Sequence, residues 1–371
     1  MIDSIVFRLL HTKKDSSQQN VTSIINMYTN RTINRSNYVR REQSIDIETY
    51  SDLFKLINNF EPAFFGKYTT TIYAVDGTGS NMDIKLEDEG YSANKNNESV
   101  TSLILGVHNV TRNYPVALEL VKHKDERKAV NDVLQKMKIP TNSIFVFDRG
   151  FYSLDLIDKL NSKKLKFVCR LKKNLIILDD DNNDYTTYVI NNGIKHKLRI
   201  ITYSMGGHEY YLATNLFESN EYSIKILKDI YHSRWTVEEL FKLLKTNTDL
   251  NKFNEKNDIA IKKSLYCQLI IAKLSSYLEQ CYTTNKMTSK NKKDVSKKIN
   301  KSNLIQGIYH DFILHIFYKR TTMKFINKFI QSYVIIHTSA KGRSFERTSK
   351  RPYSKWYVKR YFKRYVKTEI T

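Results

Sequence analysis

Cysteine is scarce and poorly spaced for chemistry. Cys169, Cys267 and Cys281 are the only three in the chain. An odd count without C-x-x-C spacing excludes a disulfide framework and a zinc ribbon and points to a reducing compartment. Four prolines and 11 glycines among 371 residues exclude collagen-like and proline-rich classes. No apolar run approaches the roughly 20 residues that a bilayer-crossing helix needs; the best, LYCQLIIA, covers residues 265–272. The N-terminus carries Asp3, Arg8 and Lys13 where a signal peptide would be apolar, so no secretory signal is expected. Acid is the last shortage: 38 Asp and Glu stand against 61 Lys and Arg, a formal charge of +23. With 41% hydrophobic and 12% aromatic residues the chain can still bury a core, which excludes a wholly disordered basic tail. A core-forming basic chain calls for a polyanionic partner, and nucleic acid is the commonest. No membrane partner is expected, and the location expected is inside the cell, in the cytoplasm.

The positive charge is unevenly spread. Residues 1–65 are nearly balanced, with eight basic and seven acidic side chains, yet Arg31, Arg35, Arg40 and Arg41 cluster without an acid among them. This region is expected to be helical and, by its arginine cluster, to contact DNA. Residues 283–305 hold seven Lys and one Asp and few large apolar groups, which reads as a linker. Residues 341–371 hold 11 basic and two acidic side chains interleaved with Phe345, Tyr353, Trp356, Tyr357, Tyr361, Phe362 and Tyr365, a pattern suited to phosphate contact and base stacking.

Between these regions the pattern alternates. TTTIYAVD (69–76) reads as a strand that stops at an acid and turns through Gly-Thr-Gly-Ser. SVTSLILGVHNV and PVALELV read as two more strands, HKDERKAVNDVLQKM as a helix, SIFVFDRGF as a strand ending in an acid and a Gly, SLDLIDKLNSK as a helix and KFVCRL as a fifth strand. That order predicts an α/β mixed sheet of the ribonuclease H type with flanking helices over residues 66–171. Residues 172–216, with Asp179, Asp180, Asp181, Asn182, Gly193 and Gly206-Gly207 at turns, read as a β-rich insertion; 217–282 resume the helical part of the same domain, and 306–371 form a basic C-terminal region.

Ligands of open α/β sheets gather at the carboxyl ends of the strands, where Asp76 and Asp148 stand, with Gly77 directly after the first and Gly150 two residues after the second. A lone Asp there serves equally as a turn or helix cap; two of them in a basic protein suggest a metal site. A third acid comes from YHSRWTVEELFKLLK (231–245). At about 100° per residue, Tyr231, Arg234, Glu238 and Lys245 fall within about 60° of each other as one polar seam, with Lys242 beside it. Val237, Leu240, Phe241 and Leu244 border that seam as an apolar face, while Glu239 points to solvent. The plain alternative is a surface helix with an i,i+4 pair between Arg234 and Glu238, worth about 0.3–0.5 kcal/mol. His108, His123 and His208 lack ligand spacing and receive no role.

The spacing Y-x2-R-x3-E-x6-K at Tyr231, Arg234, Glu238 and Lys245 follows AVDGTGSN (74–81), FDRGFYS (147–153) and LATNL (212–216) in order. Together these resemble the DDE transposases of the bacterial insertion-sequence-four (YREK) family over about residues 65–270, and SFERTSKRPYSKW (344–356) resembles the end of such proteins. The resemblance implies a catalytic triad of Asp76, Asp148 and Glu238 that holds two Mg²⁺ (or Mn²⁺) ions, which cut element ends and join them to target DNA without a covalent protein intermediate. It also implies phosphate contacts from Tyr231, Arg234, Lys242 and Lys245, with Arg234 as a bidentate fork and Arg149 as a further DNA contact. Relatives stack a flipped base on a Trp in the insertion; Tyr210 stands there in this sequence, a departure from the pattern. Double-stranded DNA, both element ends and target, is the implied partner, with a homodimer in the synaptic complex. A catalytically idle DNA-binding remnant and a ribonuclease H-like nuclease without strand transfer remain as alternative readings.

Overall fold

The computed structural model describes residues 1–59, 70–93, 99–122, 125–173, 175, 182–288 and 297–336. The basic, aromatic tail 341–371, the middle of the Lys-rich stretch (289–296), Asp179 to Asp181 and His123 lie outside them.

Four helices open the chain: α1 (Ile2–His11), α2 (Gln18–Thr29), α3 (Arg35–Gln43) and α4 (Ile47–Asn59). Ser17 and Asn34 cap α2 and α3 by accepting backbone N–H groups of the first turn. The sheet then begins with β1 (Thr71–Met82), β2 (Val100–Asn109) and β3 (Tyr114–Val121), followed by α5 (Glu126–Lys136), β4 (Ser143–Phe147), α6 (Leu154–Ser162) and β5 (Lys166–Arg170). The strand, strand, strand, helix, strand, helix, strand order read from the sequence is the one observed. Next come β6 (Asp184–Asn191), β7 (Ile194–Met205) and β8 (His208–Thr214), then α7 (Ile224–His232), α8 (Trp235–Asn247) and α9 (Asp258–Thr288). A short β9 (Lys297–Ile299), α10 (Lys301–Gly307), α11 (Ile313–Tyr318), α12 (Met323–Gln331) and β10 (Val334–Ile336) complete the described chain.

Eight strands form one sheet in the order β3-β2-β1-β4-β5-β8-β7-β6. β2 runs antiparallel to β1 and β3, whereas β1, β4 and β5 run parallel. This is the ribonuclease H-like arrangement, so the α/β fold class expected from the sequence is the fold of the protein. β8, β7 and β6 add on antiparallel beyond β5. The β-rich stretch 172–216 therefore widens the central sheet. The stretch 283–305, read as a linker, holds the end of α9, β9 and the start of α10 in its described part.

Alternation along the strands separates two faces. Ala74, Met82 and Ile104 face the N-terminal helices, α8 and α9, while Ile144, Val146 and Val168 face α7 through Leu227 and Ile230. Tyr73, Val75, Leu105, Phe145 and Phe147 point to the opposite face, under α5 and α6, where Ala129, Val130, Val133, Leu134, Leu156 and Ile157 cover them. Burying both faces of the central strands explains why those strands read as nearly continuous apolar runs. Among the described residues no helix is long and apolar enough to cross a membrane.

Two expectations need correction. The Gly-Thr-Gly-Ser after Asp76 is strand, not turn: β1 outlasts its parallel partner β4, but β2 stays paired with it from Tyr73 to Met82, so the ladder holds the glycines extended. The segment 231–245 is two helices rather than one. Arg234, Thr236 and Val237 donate their N–H groups to the carbonyls three residues back, and the Ser233 hydroxyl donates to Ile230 O at 2.6 Å. Such tight i→i+3 bonds and side-chain back-bonding break the helical ladder between His232 and Trp235.

Candidate active site

Asp76 and Asp148 lie side by side because β1 and β4 are parallel neighbours. Ala74 pairs with Val146, and the same register carried two residues further sets Asp76 level with Asp148. By alternation both aspartates share the face of Ala74, Ile144 and Val146, where α7 and α8 pack. Across the antiparallel ladder, Asp76 pairs with Gly106. A Cβ there would stand 2.6 Å from Cζ of Phe241, so the missing side chain is what lets α8 approach the sheet and bring Glu238 over it. Gly106→Ala should therefore destabilise the fold by about 1–3 kcal/mol and lower any activity that depends on Glu238. Urea denaturation checks the first effect, and an unchanged midpoint would refute this account of the close approach.

The polar seam is gathered here despite the break. Arg234, 8% exposed, sits between two acids. Its Nη1 donates to Oδ2 of Asp76 at 3.2 Å and its Nη2 to Oε1 of Glu238 at 2.6 Å. The Tyr231 hydroxyl donates to Oδ1 of Asp148 at 3.3 Å. Asp76 also accepts the Gly77 N–H at 2.9 Å. Burial pushes the Asp76 carboxyl above its usual range, against the pull of Arg234 and the Gly77 N–H, and the charges of Glu238 and Asp148 push it further. The Tyr231 phenol is pushed up to about 12, by burial first and by Asp148 second. Arg234 is thus not the exposed phosphate fork that a helical projection suggests. Its forked end is engaged by carboxylates, and its buried Nε has no hydrogen-bond partner among the described residues.

An open pocket of about 570 Å³ lies against this cluster, with Asp76, Gly77, Thr78 and Glu238 on one side and Lys14, Lys242 and Lys245 among its other walls. Lys242 is exposed; Lys245 is half-buried, and burial lowers its ammonium below the usual lysine range. Lys14 was not foreseen, because nothing in its neighbourhood marks it. It arrives by tertiary contact: its N–H donates to Asn247 O at 3.0 Å and its ammonium to Lys245 O at 3.3 Å, which docks the α1–α2 connection on the end of α8.

On the other side of Tyr231 is an aromatic patch. Tyr210 stacks on Tyr203 with centroids 5.2 Å apart and planes at 5°, and lies 6.2 Å from the Tyr231 ring. The Arg170 guanidinium, likewise unforeseen, sits 4.5 Å from the Tyr210 centroid. Tyr210 is thus placed beside the acids, through Tyr231. Arg149 is exposed, next to Asp148. A further carboxylate missed by the sequence reading, that of Glu126, comes up beneath Gly77.

The donors here are carboxylate oxygens, which suit a hard divalent cation rather than a soft one. A positive group already stands among them, since Arg234 bridges Asp76 and Glu238. Among the described residues no three acidic, His or Cys side chains are drawn together as a ligand set. In kind and in charge the residues fit a divalent metal ion.

Paired aspartates at the carboxyl edge of a ribonuclease H-like sheet, an opposing glutamate and a lysine-lined pocket define an acid-triad site of the kind built for phosphate chemistry. Comparison with known proteins makes this specific. The model of the transposase DDE domain matches residues 67–274, more than half of the chain, and the protein belongs to that family. A relative from Synechocystis sp., named as the transposase for insertion sequence element IS4SA, is 33% identical over 150 residues, which cover 39% of this chain and 43% of the relative. The match thus spans less than half the length of that curated relative. Among solved structures, the cryo-EM structure of the piggyBac transposase synaptic complex with hairpin DNA aligns with 94% of this chain and 78% of its own, at 13% identity and a TM-score of 0.44.

Proposed function

We propose that this protein is a metal-dependent DNA transposase that cuts the ends of an insertion sequence and joins them to target DNA. The observation that supports this reading most directly is the convergence of the spaced motif on the two aspartates: Tyr231 on Asp148, and Arg234 on both Asp76 and Glu238. Asp76, Asp148 and Glu238 would hold Mg²⁺ or Mn²⁺, two ions per site. When bound, these ions would supply Lewis-acid activation of the attacking hydroxyl and charge stabilisation at the leaving 3′ oxygen.

The chain's own residues do the rest. Lys14, Lys242 and Lys245 attract the phosphodiester to the pocket and orient it. Arg234, on exchanging a carboxylate for a phosphate oxygen, clamps it in a bidentate fork. Tyr231 holds Asp148 by its hydroxyl and so fixes that carboxylate's direction. Tyr210, flat against Tyr203 and faced by Arg170, offers a stacking surface for an unpaired base beside the cut, with Arg149 near the same phosphates. Residues 1–65 form the region that binds element ends; the exposed Arg35, Arg40 and Arg41 of α3 are its phosphate contacts, since the helix's one acid, Glu42, is buried against Arg8. The active assembly is a DNA-bridged homodimer in the cytoplasm of a prokaryote, working at the nucleoid.

The deciding experiment incubates the protein and Mg²⁺ with intact and with pre-cleaved duplexes from the DNA flanking the coding region, each together with a supercoiled plasmid. Joined products are expected. Cleavage without joining would reduce the protein to a nuclease, and binding with neither to an idle remnant.

A further inference from the structure

We propose that Glu126 is a fourth carboxylate of the metal site, reaching the Asp76 and Asp148 pair from the opposite face of the sheet; this rests on the transposase reading above. α5 packs under the sheet by Ala129, Val130, Val133 and Leu134, against Val75 and Leu105. α8, which carries Glu238, packs on the other face against Ala74 and Ile104. By strand alternation Asp76 points toward α8 and the next residue toward α5. That next residue is Gly77, and a Cβ on it would stand 2.5 Å from Oε1 and 3.2 Å from Cδ of Glu126. The bare backbone at Gly77 is therefore a notch that the Glu126 carboxylate shares with Leu103, whose Cδ1 would lie 2.8 Å from the same Cβ. Gly150, two residues after Asp148, borders the same group: its Cβ would lie 3.5 Å from Oε2. Two glycines close behind the two aspartates thus flank one carboxylate.

The placement is anchored. Asp125 caps α5 by accepting the backbone N–H groups of Arg127 and Lys128, and Arg127 Nε donates to Gly150 O at 3.0 Å, tying the first turn of α5 to the loop after Asp148. Within the described residues the Glu126 carboxylate has no ion pair or hydrogen bond, and the charges it feels are those of Asp76, Asp148 and Asp125. An acid in the first turn of a helix is favoured by the helix dipole, which explains a Glu at this position but not its insertion between two glycines toward like charges. Of Asp76, Asp148, Glu238 and Glu126, only Asp76 and Glu238 have an ion-pair partner among the described residues, and it is the same Arg234; Lys14, Lys242 and Lys245 stand across the pocket. Like charges so close are unfavourable unless cations join them, and a hard divalent ion is the cation that carboxylate oxygens take.

The test is Mn²⁺ binding to the protein bound to a duplex from the flanking DNA, read by electron paramagnetic resonance, for wild type, Glu126→Gln, Asp76→Asn and the exposed control Glu239→Gln. Glu126→Gln should weaken Mn²⁺ binding by about tenfold or more, the scale on which groups around a metal act, with an unchanged or raised melting temperature in EDTA. Gly77→Ala, which closes the notch and pushes the carboxylate back, should weaken it likewise. Mn²⁺ affinity of Glu126→Gln within twofold of wild type, while Asp76→Asn loses it, would overturn this assignment alone. Absence of Mn²⁺ binding in the wild type would overturn the transposase reading and this inference together.

Discussion

Asp76→Asn, Asp148→Asn and Glu238→Gln should each abolish metal-dependent strand cleavage, by at least about a thousandfold, the scale set by removing one preorganised charge from an active site. The geometry makes the three equivalent in outcome but not in cause. Asp76, 21% exposed at its side chain, has its carboxyl raised by burial and by its acidic neighbours against the pull of Arg234; its amide leaves Arg234 with Glu238 alone. Asp148 is oriented by the Tyr231 hydroxyl, an arrangement that an Asn oxygen can still accept, so its loss isolates charge from orientation. Glu238 is more exposed than Asp76, 36% against 21% at the side chain, and reaches it through Arg234. Duplex DNA binding should stay within about threefold of wild type or tighten, because each change removes negative charge beside the phosphates. Gel-shift and cleavage assays on the same preparations separate the two effects. Cleavage surviving in any one variant, or DNA binding lost in step with it, would sink the triad assignment.

How much of this site could be read from the sequence depends on how local the signal is. Asp76 and Asp148 each end an apolar run, with a glycine directly after the first and two residues after the second; the parallel register that sets them level shows only in the assembled sheet. Glu238 was legible from a helical stripe, although the helix proved broken at Ser233 and Arg234. The break changes little because both residues keep right-handed helical dihedrals. Lys14, Arg170 and Glu126 were not legible. Each comes to the site across a sheet face or from a separate element; only Glu126 lies in a helical pattern, four and seven residues before the inward Val130 and Val133, and that stripe could have flagged it. The Gly after Asp76 looked like a turn for a related reason: that it faces a carboxylate from the far side of the sheet shows only once β1, β2 and α5 are assembled. The burial of Arg234 was likewise hidden, since a projection of one helix cannot show the second strand of carboxylates it docks against.

Arg234→Gln should have the second large effect, on cleavage and on stability at once, and with opposite responses to metal. In wild type the guanidinium lies 3.2 Å from Asp76 and 2.6 Å from Glu238, with its own side chain 9% exposed. Removing one partner of a fully buried pair costs about 3–5 kcal/mol; with Glu238 36% exposed, about 2–3 kcal/mol is expected here. A divalent cation competes with Arg234 for the same oxygens, so it binds the DNA-free wild type against that contact and the variant without it. Mn²⁺ should accordingly raise the melting temperature of DNA-free Arg234→Gln more than that of the wild type, recovering part of the lost stability. Cleavage should not recover with it, because the phosphate fork is gone. Were Arg234 only a structural clamp, Mn²⁺ would stabilise both proteins equally, and Arg234→Lys, which restores the charge without the planar fork, would restore cleavage together with stability. The expected pattern is the reverse: stability returns in part with Lys or with metal, and strand cleavage with neither.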